Sequence, residues 1–276
     1  MTSTNPEIGK SVVAAGIATN YHDVGAGRPV LMIHGSGPGV TGWANWRMNI
    51  GALAEQARVL VPDMVGFGYT DVPPNIRYDL EMWMTHLVGF LDAMEIERAD
   101  VIGNSFGGGL ALAMAIHHPE RIRRLVLMGS VGVPFELTPG LDAVWGYTPS
   151  VENMRKLLEV FAYNTQLMSD DLVELRYRAS MRPGVQEAFG AMFSPGPRQQ
   201  YIDALASDEA DIRRIPHETL VVHGREDLVI PLSNALTLAQ WLPASQLHVF
   251  SRCGHWTQIE HAAEFNRLVA GFLAQD

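Results

Sequence analysis

The sequence predicts an α/β fold: a mostly parallel, twisted sheet with helices on both faces and a helical insertion. Three observations predict it. Short apolar runs with Gly-rich ends recur along the chain, helix-period stretches separate them, and the alternation lapses between 133 and 213 before it resumes at Thr219.

The runs are Val30–Ile33, Val59–Val61, Val101–Ile102, Leu125–Met128, Leu220–Val222 and Leu247–Phe250. Continuous aliphatic runs mark strands buried on both faces, the pattern of a parallel sheet rather than of one with a wet side. Helical patterns at Met82–Met94 and Gly108–His117 lie between them, as strand–helix–strand units require. From 133 to 213 the chain offers helix-like stretches at Val151–Phe161 and Asp170–Ser180, broken by Pro139, Pro149, Pro183 and Pro195. The expected division is therefore a core of 1–132 and 214–276 and a helical cap, or lid, of 133–213. Such a lid would stand over the carboxyl ends of the strands, where open α/β sheets bind ligands.

A chain of 276 residues, 47% of them hydrophobic, is long enough for one large core with an insertion. No apolar stretch approaches the ~20 residues of a membrane span. The N-terminus, Met1-Thr-Ser-Thr-Asn-Pro-Glu7, lacks the basic start and apolar block of a secretory signal, so a cytoplasmic location is expected. Cys253 is the single cysteine, which excludes an internal disulfide and fits a reducing compartment. A formal charge of -10 disfavours nucleic acid as a partner, because polyanion binding needs concentrated positive charge. The expected partner is a small molecule, with no membrane and a homo-oligomeric assembly.

Chemistry concentrates at Gly103-Asn104-Ser105-Phe106-Gly107, which follows one strand and opens a helix. A bare G-x-S-x-G arises by chance in roughly one chain in ten of this length, so its context matters more than its letters. Here the context is that of a nucleophile elbow, in which a tight strand-to-helix turn thrusts the serine out and leaves room only for small residues two before and two after it. A serine hydroxyl is a weak nucleophile, so it needs a base and an acid that holds the base in the right tautomer. Asp227 lies just beyond the strand at Leu220–Val222, and His255 lies beyond the strand at Leu247–Phe250. The order Ser105, Asp227, His255 is the one expected of the α/β-hydrolase fold. Glu226 competes with Asp227, but only one of two neighbours can turn inward, and the shorter side chain suits a fixed bond to imidazole.

Attack on a carbonyl puts negative charge on oxygen, which backbone N–H groups must meet. Phe106, at the helix start, supplies one. The loop His34-Gly35-Ser36-Gly37-Pro38-Gly39 should supply the other, with Ser36 as the candidate. The other histidines show no metal-ligand spacing such as H-E-x-x-H, so neither a metal nor a cofactor is expected. That loop also carries a rival reading: Gly37-x-Gly39-x-x-Gly42, trailed by Asp63, matches the dinucleotide-binding fingerprint of an NAD-dependent oxidoreductase. Against it stand Pro38, the bulky Trp43, and a triad left without a task.

The chain resembles the meta-cleavage product hydrolases, carbon–carbon bond hydrolases of aromatic-ring degradation. The resemblance is carried by His34-Gly-Ser-Gly-Pro-Gly-Val40, Trp43-Ala-Asn45-Trp46, Pro62-Asp-Met-Val-Gly-Phe-Gly68, the elbow, Met181-Arg182-Pro183 and Cys253-Gly-His-Trp256. It implies an anionic 2-hydroxy-6-oxo-hexa-2,4-dienoate type of substrate. It also implies substrate contacts from Ser36, Gly37, Asn45, Asn104, Arg182 and Trp256, with Arg182 on the carboxylate. Val131, Leu141, Trp145 and Val229 are expected to line the pocket for the other end. An esterase or lactonase is the alternative, because fold and triad do not fix the substrate.

Overall fold

The computed structural model describes residues 5–193 and 196–275; the first four residues of the leader reading, and Pro195, lie outside them. Among the described residues, eight strands form one sheet: β1 (Lys10–Ala14), β2 (Ile17–Gly25), β3 (Pro29–Ile33), β4 (Arg58–Pro62), β5 (Ala99–Asn104), β6 (Ile122–Met128), β7 (Thr219–Gly224) and β8 (Ser245–Phe250). Their spatial order is β1-β2-β4-β3-β5-β6-β7-β8. β3 to β8 pair in parallel and are the six apolar runs of the sequence. β1 and β2 were not foreseen. They form an antiparallel hairpin that continues onto β4, and neither Lys10-Ser-Val-Val-Ala14 nor Ile17–Gly25 carries a continuous apolar run of the kind that marks the parallel strands.

The pleat explains the two cores. In β3, Leu31 and Ile33 face the helices Leu80–Ala93 and Phe106–His117, whereas Val30 and Met32 face a layer built on Trp46, Phe265 and Phe272. Each fully buried aliphatic side chain contributes about 1.5–3 kcal/mol relative to exposure.

Between β6 and β7 the chain adds no strand among the described residues. It runs through the helices Pro139–Trp145, Val151–Phe161, Asp170–Ser180, Val185–Met192, Gln199–Leu205 and Glu209–Ile212. The prolines start helices here rather than break them. Pro139 is the first residue of its helix, behind the Thr138 cap, and Pro149 precedes Ser150, whose side chain caps the next. Ser169 caps Asp170–Ser180, and Asp170 and Asp171 in the first turn complement the helix dipole.

Candidate active site

β5 ends at Asn104 and the next helix begins at Phe106, so Ser105 must turn the chain alone. It does so at φ 56° and ψ −116°, a positive φ that costs a non-glycine residue about 1–3 kcal/mol. Hydrogen bonds hold it there: its amide donates to the Met128 carbonyl at 2.8 Å, and its carbonyl accepts from Gly109 at 3.2 Å and Val131 at 3.3 Å. A Cβ at Gly103 would collide with the Gly107 carbonyl, and one at Gly107 would lie 2.5 Å from the carbonyl oxygens of Ile33 and His34. The spacing of the motif is thus a steric requirement of this turn.

At the end of β7, Asp227 Oδ1 accepts from the amides of Val229 at 2.7 Å and Ile230 at 2.9 Å. This frees Oδ2 to accept from His255 Nδ1 at 2.7 Å. Burial alone would raise the Asp227 carboxyl; the charge and hydrogen bond of His255, with help from His223 and the Ile230 amide, bring it below the ordinary range. His223, which sequence reasoning did not single out, lies 3.5 Å from Oδ2 and bonds the Ile230 carbonyl at 3.0 Å. Glu226 turns the other way. Its carboxylate accepts from the Cys253 amide at 3.0 Å and pairs with Arg225, so it braces the histidine loop from outside.

Phe106 sits at the first helical position, where a backbone N–H has no acceptor within its own helix. Its ring faces inward against Phe67 and Trp83. Ser36 lines the same cavity as Ser105, and its Oγ accepts a hydrogen bond from the Trp145 indole at 3.0 Å. Trp145 therefore does not line the cavity as expected. It stacks on Phe193 and steadies the loop that carries Ser36. Val131 is also absent from the lining; it packs on Gly109 behind the elbow.

The cavity measures about 70 Å³. Ser105, His255, Ser36, Gly37, Asn45, Asn104 and Trp256 meet there, together with Leu141 and Val229 from the expected apolar end. Further apolar wall comes from the helix Val151–Phe161: Met154, Leu157, Leu158 and Phe161.

Arg182 is not among the cavity's lining residues. Its guanidinium stacks on the Tyr69 ring, 3.9 Å from the centroid, and its Nε donates to the Ala179 carbonyl at 3.2 Å, in a separate surface pocket. The helix Asp170–Ser180 ends just before it, and the turn at 181–184 swings it away. Arg176, one helix earlier and missed in the sequence, lines the cavity instead, with Arg47 as a second cation. Its guanidinium donates to Glu7 at 3.1 Å and to the Gly39 carbonyl at 2.6 Å. Burial pulls Arg176 below the ordinary arginine range, opposed by Glu7 and reinforced by Arg47 and Arg182. A bound anion would relieve that imbalance.

Asp63, the acid of the dinucleotide reading, is fully buried and already engaged. It accepts from the amides of Gly42 at 2.6 Å and Tyr69 at 2.8 Å and from Asn20 Nδ2 at 2.8 Å, which leaves no acceptor facing a ribose. Gly39 is small because Ala179 of the cap helix would lie 2.6 Å from a Cβ there. The fingerprint match is a by-product of packing.

An elbow serine, a histidine and a buried carboxylate at the rim of this sheet define an α/β hydrolase. The chain belongs to that family, described as the alpha/beta hydrolase fold and matching residues 28–262, and within it to the meta-cleavage product hydrolases. It is 63% identical to the 2-hydroxymuconate semialdehyde hydrolase of Pseudomonas sp. (strain CF600) over 271 residues, 98% of this chain and 95% of that one. It is 62% identical to the 2-hydroxy-6-oxo-2,4-heptadienoate hydrolase of Pseudomonas putida over 100% of both chains. Among solved structures, the meta-cleavage product hydrolase CumD of Pseudomonas fluorescens, as a serine-to-alanine mutant complexed with acetates, superposes with a TM-score of 0.96 at 59% identity, covering 98% of each chain. No helix among the described residues is long and apolar enough to cross a membrane.

Proposed function

We propose that this enzyme hydrolyses the C5–C6 bond of a 2-hydroxy-6-oxo-hexa-2,4-dienoate carrying hydrogen or a short alkyl group at C6. The products are 2-hydroxypenta-2,4-dienoate and a short carboxylic acid. The observation that carries the reading is the presence of Arg176 in the cavity shared by Ser105 and His255. An ordinary esterase has no use for a buried guanidinium in the cavity of its nucleophile, whereas a dienoate presents a carboxylate to it. The names of the two relatives over 60% identical point the same way.

Breaking a carbon–carbon bond would expel an unstabilised carbanion unless the leaving carbon can delocalise its charge. The dienol is therefore first converted to its keto tautomer: the 2-hydroxyl gives up a proton and C5 gains one. Arg176 holds the carboxylate, while Asn45, Asn104, Gly37 and Trp256 surround the oxygenated end. Ser105 Oγ then attacks C6 as His255 takes its proton, and the amides of Phe106 and Ser36 meet the oxyanion. Collapse breaks C5–C6 and releases the dienolate, which regains a proton; water next cleaves the acyl-serine with His255 as base. Asp227 holds the imidazole throughout. Segment 133–213 acts as a cap whose Leu157, Leu158 and Phe161 close the apolar end.

The test is to mix the purified protein with the yellow ring-fission product of catechol and follow the loss of colour. Persistent colour alongside hydrolysis of simple esters would reject this reading in favour of an esterase or lactonase.

A further inference from the structure

The histidine loop is tied to the cap by one carboxylate outside the triad. Glu260 ends the short helix that follows His255 and Trp256. Its Oε1 accepts from the amide of Gly254, the residue before His255, at 2.7 Å. Its Oε2 accepts from the amide of Asn164 at 2.8 Å. Asn164 belongs to the cap segment that leaves the helix Val151–Phe161, and its own side chain caps the turn Thr165–Leu167. One side chain thus spans the loop that carries the base and the segment that roofs the cavity.

The surroundings show how close that junction is. The Trp256 amide donates to the Phe161 carbonyl at 3.1 Å. A Cβ at Gly254 would lie 2.7 Å from the Phe161 carbonyl oxygen and 2.8 Å from the Tyr163 amide nitrogen, so the two backbones meet only because residue 254 is glycine. The Phe161 ring lies over both the His255 imidazole and the Trp256 indole, with centroids 5.8 Å and 5.1 Å away. Phe161 and His255 also face the same cavity. Two backbone amides with one charged acceptor make strong, directional bonds, and a carboxylate is the only side-chain group with two acceptor oxygens and no donor.

We propose that Glu260 is a positioning residue that couples the seating of the cap to the orientation of His255. With the clamp closed, Gly254 and Phe161 fix the imidazole in the cavity it shares with Ser105; with it open, the loop and the cap end move independently and the base is misaligned. Glutamine at 260 can accept from one amide only, and its NH2 then faces the other N–H.

This rests on the roles given to Ser105 and His255, and the readout is chosen to separate the two. A fluorophosphonate reports the serine–histidine pair without any dienoate: the Ser105 oxygen bonds to phosphorus, fluoride leaves, and His255 takes the hydroxyl proton. In Glu260→Gln, the labelling rate and the kcat for the ring-fission product should both fall roughly ten- to hundred-fold, the usual cost of small misplacements, with KM little changed. A second variant cuts only the cap side. Asn164 has a negative φ of −87°, near the range proline adopts, so Asn164→Pro removes the N–H donor together with the side-chain cap, and Asn164→Ala controls for the loss of the cap. Asn164→Pro should lower the labelling rate as Glu260→Gln does, whereas Asn164→Ala, which keeps the N–H, should stay within about threefold of the unmodified enzyme. Labelling at the original rate in both Glu260→Gln and Asn164→Pro would overturn the proposal. So would a fall in melting temperature with labelling unchanged, since the clamp would then be structural only. Normal labelling dependence on Glu260 with no turnover of the dienoate would instead overturn the substrate reading and leave the clamp standing.

Discussion

Arg176 and Glu7 are 169 residues apart in sequence and 3.1 Å apart in space. The pair joins the cap helix to the segment before β1, so the guanidinium that lines the cavity is aimed by two distant parts of the chain. The second tie, to the Gly39 carbonyl, brings in the loop of Ser36 as well.

The first prediction follows from that geometry. Arg176→Gln should reduce kcat/KM for the anionic dienoate by about 10²–10³-fold, chiefly through KM, because truncating a buried charge partner costs about 2–5 kcal/mol. Arg182→Gln, which loses a half-buried cation–π stack on Tyr69 outside the cavity lining, should change it by no more than about threefold. Steady-state kinetics on the two variants decides the matter, and equal losses would sink the assignment of Arg176.

How much of this was legible in the sequence depended on what each residue's neighbours could do. The parallel strands and the triad order were readable because burial on both faces leaves continuous apolar runs, and the elbow leaves glycines at fixed offsets. The β1–β2 hairpin was not: at this edge of the sheet its strands carry neither a long apolar run nor a clean alternation, since Thr19, Asn20, His22 and Asp23 interrupt the pattern of β2. Three arginines near the end of one cap helix, at 176, 178 and 182, carry the same charge. The helix period could have separated them, since Arg176 stands three and four residues from the buried Val173, Ala179 and Ser180, whereas Arg178 pairs outward with Glu174. Which arginine meets the cavity was therefore a question of face, and a motif match does not carry that.

Asp227→Asn should lower kcat by about 10⁴-fold with little change in binding, because the amide would favour the wrong imidazole tautomer. Glu226→Gln should be far milder, within about tenfold, because Glu226 touches the Cys253 amide and not His255. Ser105→Ala should abolish turnover yet still bind the dienoate, seen as a persistent shift in its absorption spectrum. A Glu226 variant as impaired as the Asp227 one would reverse the roles given to these neighbours.

The loop of Ser36 offers a cleaner separation. Ser36→Ala keeps the backbone amide, so kcat should fall by less than about tenfold, whereas losing an oxyanion donor costs ~10²–10³. Trp145→Phe removes the indole N–H that bonds Ser36 Oγ but leaves a ring to stack on Phe193. It should match Ser36→Ala in kcat, and the double variant should be no worse than either single one. A loss near 10³ in Ser36→Ala would make its hydroxyl, not its amide, the working group.

Stability should fall in mild acid, with the sign set by three buried groups. His34 donates from Nδ1 to the Gly35 carbonyl and accepts at Nε2 from the Met64 amide, so it folds neutral. His86 likewise accepts from the Val65 amide and bonds Thr19. Burial lowers both to about 4. Their contribution is complete above the ordinary histidine value near 6.5 and is lost as pH falls through about 4. Asp63 acts in the opposite sense: burial raises it to about 6 against its hydrogen-bond donors, so its contribution is complete below 3.8 and lost as pH rises through about 6. Near pH 5 the two histidines outweigh the one carboxyl, and these three groups together give a positive slope of about 1 kcal/mol per pH unit. Asp63→Asn removes the opposing group and should steepen it toward ~2.5 kcal/mol per unit. Urea denaturation between pH 4.5 and 6.5 would measure both slopes, and a shallower one in the variant would contradict the assignment.

The apolar wall of the cavity sets the last expectation. Leu141, Leu158, Phe161 and Val229 line its apolar side, against which an aromatic ring at C6 would press where hydrogen or methyl would not. Overpacking a closed apolar site costs about 1–3 kcal/mol, so the 6-phenyl substrate should show kcat/KM lower than the 6-methyl one by roughly 10- to 100-fold. Leu158→Ala should narrow that gap, because its side chain belongs to the apolar wall of the cavity. The same substitution should cost about 2–5 kcal/mol of stability, since Leu158 is buried and its loss leaves a void. The comparison is therefore of kcat/KM ratios between two substrates in one variant, in which the loss of folded protein cancels. An unchanged ratio would mean that the ring is excluded elsewhere than at this wall.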